Sequence, residues 1–320
     1  MRAFQIQAFD RPAGFFDTEL PPPAAGEVRI RVAACGLNFA DLLMARGQYQ
    51  ERPPLPVTLG MEMAGTVAAV GPGTSGPEPG SRVAAFNGMG GLAEEANVAA
   101  ERCVILPHGM SFSEGAAFQV AYGTSHLALD HRARLQPGER LVVTGAAGGV
   151  GLAAVEIGAL MGAEVVAIAR GGDKLDIAAR AGATHLIDAE CPDIRERIRA
   201  LGGADVVYET IGGDLFDTCF RATNPEGRIL TIGFASGRLP QIAPNHLLVK
   251  NLSVIGLYWG GYLKFAPGVL TASLQTLFAW YAAGRLRPHI SHEVPFERTA
   301  EALDLLRLRR SAGKVVVTMP

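Results

Sequence analysis

The sequence predicts an α/β protein: a compact β unit from the first third of the chain, then a doubly wound parallel sheet. Three observations predict it. Short strand-like runs separated by Pro and Gly fill the chain as far as Met110. From Arg140 onward, six continuous apolar runs alternate with segments of helical length and period. Between the first of those runs and its helix lies a glycine-rich turn, "TGAAGGVG".

The first third is punctuated by "PPPAAGE", "ERPPLP" and "GPGTSGPEPGS". Between them stand the strand-like runs "VRIRVAA", "MAGTVAAV" and "SRVAAF", the spacing of a small barrel or sandwich. One helix, "NFADLLMARG", interrupts them, with Asn38 as its N-cap and Gly47 as its stop. At "SFSE" the pattern changes. Ser111 and Glu114 have capping-box spacing and open a helix expected to reach Leu129. The strands that follow read "RLVVT", "EVVAIA", "THLI", "DVVYET", "RILTIG" and "LSVIGLY". Uninterrupted apolar strands belong to a sheet covered on both faces, and βαβ order makes that sheet parallel. After Tyr258 come the helices "LTASLQTLFAWYAAG" and "RTAEALDLLRLRR" and the strand "KVVVTM", a tail expected to pack back on the β unit. The expected domains are 1–119, completed by 260–320, and 120–259.

Composition narrows the function classes. The chain has 320 residues, 48% of them hydrophobic, and a net charge of −2, which suits two packed domains and argues against a nucleic-acid or anionic-membrane partner. The four cysteines (Cys35, Cys103, Cys191, Cys219) show no metal-binding spacing and read as small core residues of a reducing compartment. "MRAFQIQAFDRPAG" lacks an apolar signal core and "LVVTGAAGGVGLAAV" is too short to span a bilayer, so a cytoplasmic protein is expected. Lysine occurs only at 174, 250, 264 and 314, which gives each isolated lysine more weight.

The glycine-rich turn points to a dinucleotide. Ala146, Gly148 and Gly151 keep the A-x-G-x-x-G spacing between an apolar strand and a helix. Ala147, Gly148, Gly149, Val150 and Gly151 would then present backbone N–H groups and a helix N-terminus to a pyrophosphate. An NAD site places an acid at the end of the second strand. Here the residue is Ala169, followed by Arg170 and, at the next helix, Lys174. Two cations and no carboxylate favour a 2′-phosphate, hence NADPH. Asp173 is expected to cap that helix.

The motifs "GLNFADLLMARGQY", "LGMEMAGTVAAVG", "VAYGTSHLAL", "TGAAGGVGLAAVEIGALMGAEVVA" and "AGKVVV" resemble the medium-chain dehydrogenase/reductase superfamily, in its zinc-free quinone oxidoreductase (zeta-crystallin-like) branch. The resemblance implies a GroES-like β-barrel domain joined to a Rossmann domain, and a homodimer paired through the outermost strand, "LSVIGLY". The zinc ligands of related dehydrogenases fall on Asn38, Met61 and Ala116, none of which can replace a thiolate or imidazole, so no metal is expected. Without a Lewis acid, hydride transfer needs an acceptor activated by conjugation. The resemblance therefore implies NADPH-dependent reduction of a quinone. The alternatives are an enone or enoyl-thioester C=C reductase, or an NADPH-binding protein with little turnover.

The resemblance also nominates site residues. Asn38 would contact the cofactor or donate to a developing oxyanion, and Tyr49 would hydrogen-bond the acceptor oxygen. Thr124 and His126 would lie at the nicotinamide end, Phe234 would cover it, and Arg309 would reach a cofactor phosphate. Asp41 is read as local support.

Overall fold

The computed structural model describes residues 1–320, which divide into two compact units: Met1–Val120 with Pro288–Pro320, and Ala121–Arg287. No helix is long and apolar enough to cross a membrane.

The first unit begins with β1 (Arg2–Ile6), β2 (Gly14–Asp17) and the long β3 (Glu27–Leu37), followed by α1 (Phe39–Ala45). Then come β4 (Val57–Thr58), β5 (Glu62–Val70), β6 (Arg82–Phe86), β7 (Glu95–Ala99), β8 (Cys103–Ile105) and α2 (Phe112–Ala116). β3 organises this unit. It alternates buried and open positions, pairs antiparallel with β5 from Val28↔Val70 to Gly36↔Glu62, and takes β7 along its first half. Val28, Ile30, Val32, Met63, Val67 and Val83 fill one core. β3 and α2 approach so closely that a Cβ on Gly36 would lie 2.0 Å from Ala116 O.

The second unit carries α3 (Gln119–His126), which starts at its border, then six strands with crossover helices: β9 (Arg140–Thr144), α4 (Gly149–Leu160), β10 (Glu164–Ala169), α5 (Gly172–Arg180), β11 (His185–Asp188), α6 (Ile194–Ala200), β12 (Ala204–Glu209), α7 (Gly213–Ala222), β13 (Thr223–Thr231), α8 (Pro244–Lys250) and β14 (Ser253–Gly256). All pair parallel in the order β11-β10-β9-β12-β13-β14. Renumbered within the sheet this is 3-2-1-4-5-6, the doubly wound dinucleotide order, with its switch point between β9 and β12. Leu141, Val142 and Val143 of β9 are wholly buried, as two covered faces require.

Two further helices, α9 (Tyr262–Phe265) and α10 (Pro267–Ala282), remain with this unit. The chain returns to the first unit with β15 (Ile290–Pro295), α11 (Thr299–Arg307) and β16 (Lys314–Thr318), and β16 pairs antiparallel with β3 from Val315↔Leu37 to Thr318↔Ala34.

The expected tail boundary at 260 thus moves to 288. α10 buries Leu270, Leu274, Leu277 and Phe278, and its Ser273 bonds His126 of α3, which keeps the helix in the second unit. The capping box at Ser111 forms as read: Glu114 N–H donates to Ser111 Oγ and Ser111 N–H to the Glu114 carboxylate. The helix it opens does not run on to Leu129. It ends at Ala116, restarts as α3, and finishes in a π-type turn over Leu127–Arg132.

Candidate functional site

In the first unit, three residues distant in sequence, Asn38, Glu62 and Lys314, form one buried polar knot. Lys314, 4% exposed at the start of β16, donates to Leu37 O (2.8 Å), Asn38 Oδ1 (2.7 Å) and Glu62 Oε1 (2.8 Å). All three ammonium protons are therefore placed. Asn38 Nδ2 donates to the same Glu62 oxygen at 2.9 Å and to Gly36 O at 3.3 Å. The other Glu62 oxygen accepts Val120 N–H at 2.9 Å. The knot is neutral and fully bonded, the condition under which a buried ion pair is tolerated.

Asp41 lies next to it with no exposed surface. Its carboxylate accepts Asn38 N–H (2.8 Å) and Gly60 N–H (3.2 Å), tying the start of α1 to the turn before β5. Burial pushes its pKa up to about 6, against the two N–H groups and the Lys314 charge, which lower it. The role of local support read for Asp41 matches this placement.

Asn38 stands as the N-cap of α1, but its side chain turns inward to Lys314 and Glu62. Both amide protons are used, so none remains for an oxyanion. Oδ1 keeps one lone pair for a ligand hydroxyl or amide. Tyr49, just past α1, packs partly buried against Leu42, Met44 and their neighbours. Met61 and Ala116 are buried, and no group of three His, Cys, Asp or Glu side chains is arranged to hold a metal. Arg309, at the end of α11, is exposed with a left-handed φ of 56°.

In the second unit, the turn from Thr144 to Gly151 joins β9 to α4 as the motif requires. Gly145 has φ +60°, and a Cβ on Gly151 would lie 2.2 Å from Gly145 O, so helix and turn meet backbone to backbone. Gly148 is the exposed N-cap and offers no capping side chain. The first intrahelical bond starts at Leu152 N–H, so the N–H groups of Gly149, Val150 and Gly151 have no intrahelical acceptor. Such a cradle fits a pyrophosphate. Ala147, by contrast, is buried under the turn at 3% exposure.

Glu209 stiffens this end of the sheet. It has no exposed surface, and its carboxylate accepts Thr144 Oγ1–H (3.0 Å), Ile211 N–H (2.9 Å) and Gly212 N–H (2.9 Å). Thr210 N–H donates to Thr144 Oγ1, and Thr210 Oγ1 to Thr144 O. Burial raises the Glu209 pKa. Sequence reading missed it; the signal was an acid closing the apolar strand "DVVYET". Phe234 lies on the adjoining loop, which returns through Ala235 N–H to Thr210 O and Ser236 N–H to Ile211 O, with its ring 37% exposed.

At the end of β10, Ala169 is followed by Arg170, whose guanidinium pairs with Glu190 at 3.1 Å, both well exposed. Lys174 is half-buried in the first turn of α5. The expected Asp173 cap is absent: Gly171, at φ +81°, is the N-cap of α5, and its N–H donates to Asp188 at 3.3 Å. Two carboxylates therefore stand near the cations. Thr124 is buried on α3. His126 Nδ1 lies 2.8 Å from Ser273 Oγ, and its ring packs edge-on to Trp280 at 5.2 Å. Burial lowers its pKa, and its Nδ1 side is taken up in packing between α3 and α10.

Comparison with known proteins places this geometry. Residues 24–108 match the alcohol dehydrogenase GroES-like domain, and 149–276 match the zinc-binding dehydrogenase model. A quinone oxidoreductase-like protein 2 homolog of Nematostella vectensis is 40% identical over 297 residues, 91% of this chain and 81% of its own. The human synaptic vesicle membrane protein VAT-1 homolog is 34% identical over 315 residues, 93% of this chain and 80% of its own. The quinone oxidoreductase of Thermus thermophilus, solved also with NADPH, is 34% identical with a TM-score of 0.90, covering 99% of this chain and 100% of its own. The chain belongs to the medium-chain dehydrogenase/reductase superfamily, with a GroES-like and a Rossmann-type domain, among its members of the zinc-free quinone oxidoreductase type.

Proposed function

We propose that the protein reduces a quinone at the expense of NADPH without a metal ion. The observation that carries this reading is the Lys314 knot. A buried ammonium is bonded to Asn38, the residue matched to a zinc ligand of related dehydrogenases, and to Glu62, and the pair supplies neither a thiolate nor an imidazole for zinc. The acceptor must then carry its own activation, which conjugation gives to a quinone.

Bound NADPH would supply the hydride. The N–H groups of Gly149, Val150 and Gly151 would hold its pyrophosphate, and Arg170 and Lys174 its 2′-phosphate. Phe234 would cover the nicotinamide, with Thr124 beside it. Asn38 Oδ1, held by Lys314, would accept from the cofactor, and the Tyr49 hydroxyl would hydrogen-bond the acceptor oxygen as charge develops on it. The Thermus quinone oxidoreductase, solved as an NADPH complex, supports the same cofactor. β14 is an edge strand of the parallel sheet, and we propose that two copies pair along it.

Steady-state kinetics test the reading. NADPH should give a higher kcat/KM than NADH with a naphthoquinone acceptor, and Tyr49→Phe should lower kcat/KM by about tenfold, the scale of one hydrogen bond made in the transition state. Equal use of NADH would remove the cofactor assignment. Faster turnover of an enone or acryloyl thioester than of the quinone would move the substrate class to C=C reduction. Tight NADPH binding without turnover of any acceptor would leave a binding protein.

A further inference from the structure

The amino end of the parallel sheet, opposite the glycine-rich turn, carries a second built recess. α6, α7 and α8 lead into β12, β13 and β14, and their C-terminal ends enclose a cavity of about 230 Å³ bounded by Arg195, Arg199, Arg221 and Lys250. A neighbouring recess of about 300 Å³, floored by Gly202, Gly203 and Asn224, shares Arg199, Arg221 and Lys250 with it. No carboxylate lines either space.

The cations there are not balanced by the protein. Arg197, on α6, pairs with Asp193, whereas Arg195, Arg199 and Arg221 form no ion pair. The Lys250 ammonium donates only to the carbonyls of Arg221 (3.0 Å) and Thr223 (2.8 Å). Its pKa is lowered by burial and by the charges of Arg199 and Arg195. Arg195 Nε is buried with no partner. The helix dipoles account for part of this, because Arg199, Arg221 and Lys250 lie in last turns, where a cation is favoured. They do not account for Arg195. It precedes Arg199 by four residues on the same helix, a like-charge spacing that destabilises an isolated helix. The chain holds 31 acidic residues against 29 Lys and Arg, so its lack of a partner acid at this place is local.

One wall of the cavity is flat and apolar. The His246 ring stacks on the buried Phe220 with centroids 5.9 Å apart and an interplanar angle of 26°, Phe220 stacks in turn on Phe216 at 5.8 Å, and Leu252 lies beside them. We propose that this recess binds a small organic phosphate bearing a flat apolar group. The phosphate is held by Arg199, Arg221 and Arg195, and the flat group lies against the His246 ring, which Phe220 backs. Guanidinium forks suit phosphate oxygens, and a cavity of about 230 Å³ favours a compact ligand. This site is separate from the proposed cofactor site and does not rest on the quinone reading.

The test is calorimetric titration of the NADPH-saturated protein with phenyl phosphate, with inorganic phosphate as the comparison ligand. Phenyl phosphate should bind more tightly than phosphate. Arg199→Gln and Arg221→Gln should each weaken it about tenfold, the worth of one charged hydrogen bond. His246→Ala should abolish the preference for phenyl phosphate while phosphate still binds. Melting temperatures should shift by no more than a few degrees, because each Arg→Gln change removes a like-charge neighbour and also a cation at a helix C-terminus. Absence of binding to wild type at about 10 mM, or unchanged affinity in both arginine variants, overturns the proposal.

Discussion

Lys314 is the residue whose removal should cost most. Its ammonium satisfies Leu37 O, Asn38 Oδ1 and Glu62 Oε1 at once, with almost no access to water. Lys314→Met would leave the Glu62 carboxylate buried and uncompensated, a loss of about 3–5 kcal/mol read from denaturant unfolding. A change under about 1 kcal/mol would mean that water already reaches the knot. Asp41 gives a second test. With its pKa raised to about 6, the folded chain binds that proton more tightly than the unfolded one. Its stabilising contribution is complete below about pH 4 and is lost as pH rises through 6. Carboxyl NMR titration should find the Asp41 midpoint near 6. A midpoint in the ordinary aspartate range would show that hydrogen bonds outweigh burial.

Among the elements, the turn between β9 and α4 shows most clearly how residue type dictates geometry. Gly151→Ala would place a methyl 2.2 Å from Gly145 O, and neither partner is a flexible side chain. The turn must open, so NADPH affinity measured by fluorescence titration should fall about tenfold or more. Unchanged affinity would remove the turn from cofactor binding. This element was legible in the sequence because its constraint is local: strand, glycines and helix follow within a dozen residues. The Lys314 knot was not, because residues 38, 62 and 314 meet only through the pairing of β16 with β3 and β3 with β5. Its one sequence signal was a scarce lysine opening the apolar strand "KVVV". The packing around His126 was hidden for the same reason. A histidine at the helix position read as nicotinamide-facing is claimed by Ser273, nearly 150 residues later, and nothing local announces α10 as its neighbour.

For the whole molecule, alternation of apolar runs and helical segments was enough to predict a doubly wound parallel sheet covered on both faces, while the strand order came from the pairing itself. Periodicity did not reveal where the tail leaves the second unit, since α10 and α11 both read as helices and only their packing assigns them to different units. The proposed function joins a buried, hydrogen-bonded ammonium at Lys314 to reduction of an acceptor activated by its own conjugation. The most direct test is the initial rate of NADPH oxidation before and after exhaustive chelation, with a naphthoquinone and with a simple unconjugated ketone. The account predicts a quinone rate untouched by chelation and no turnover of the ketone. A quinone rate that collapses on chelation and returns with added zinc would contradict it.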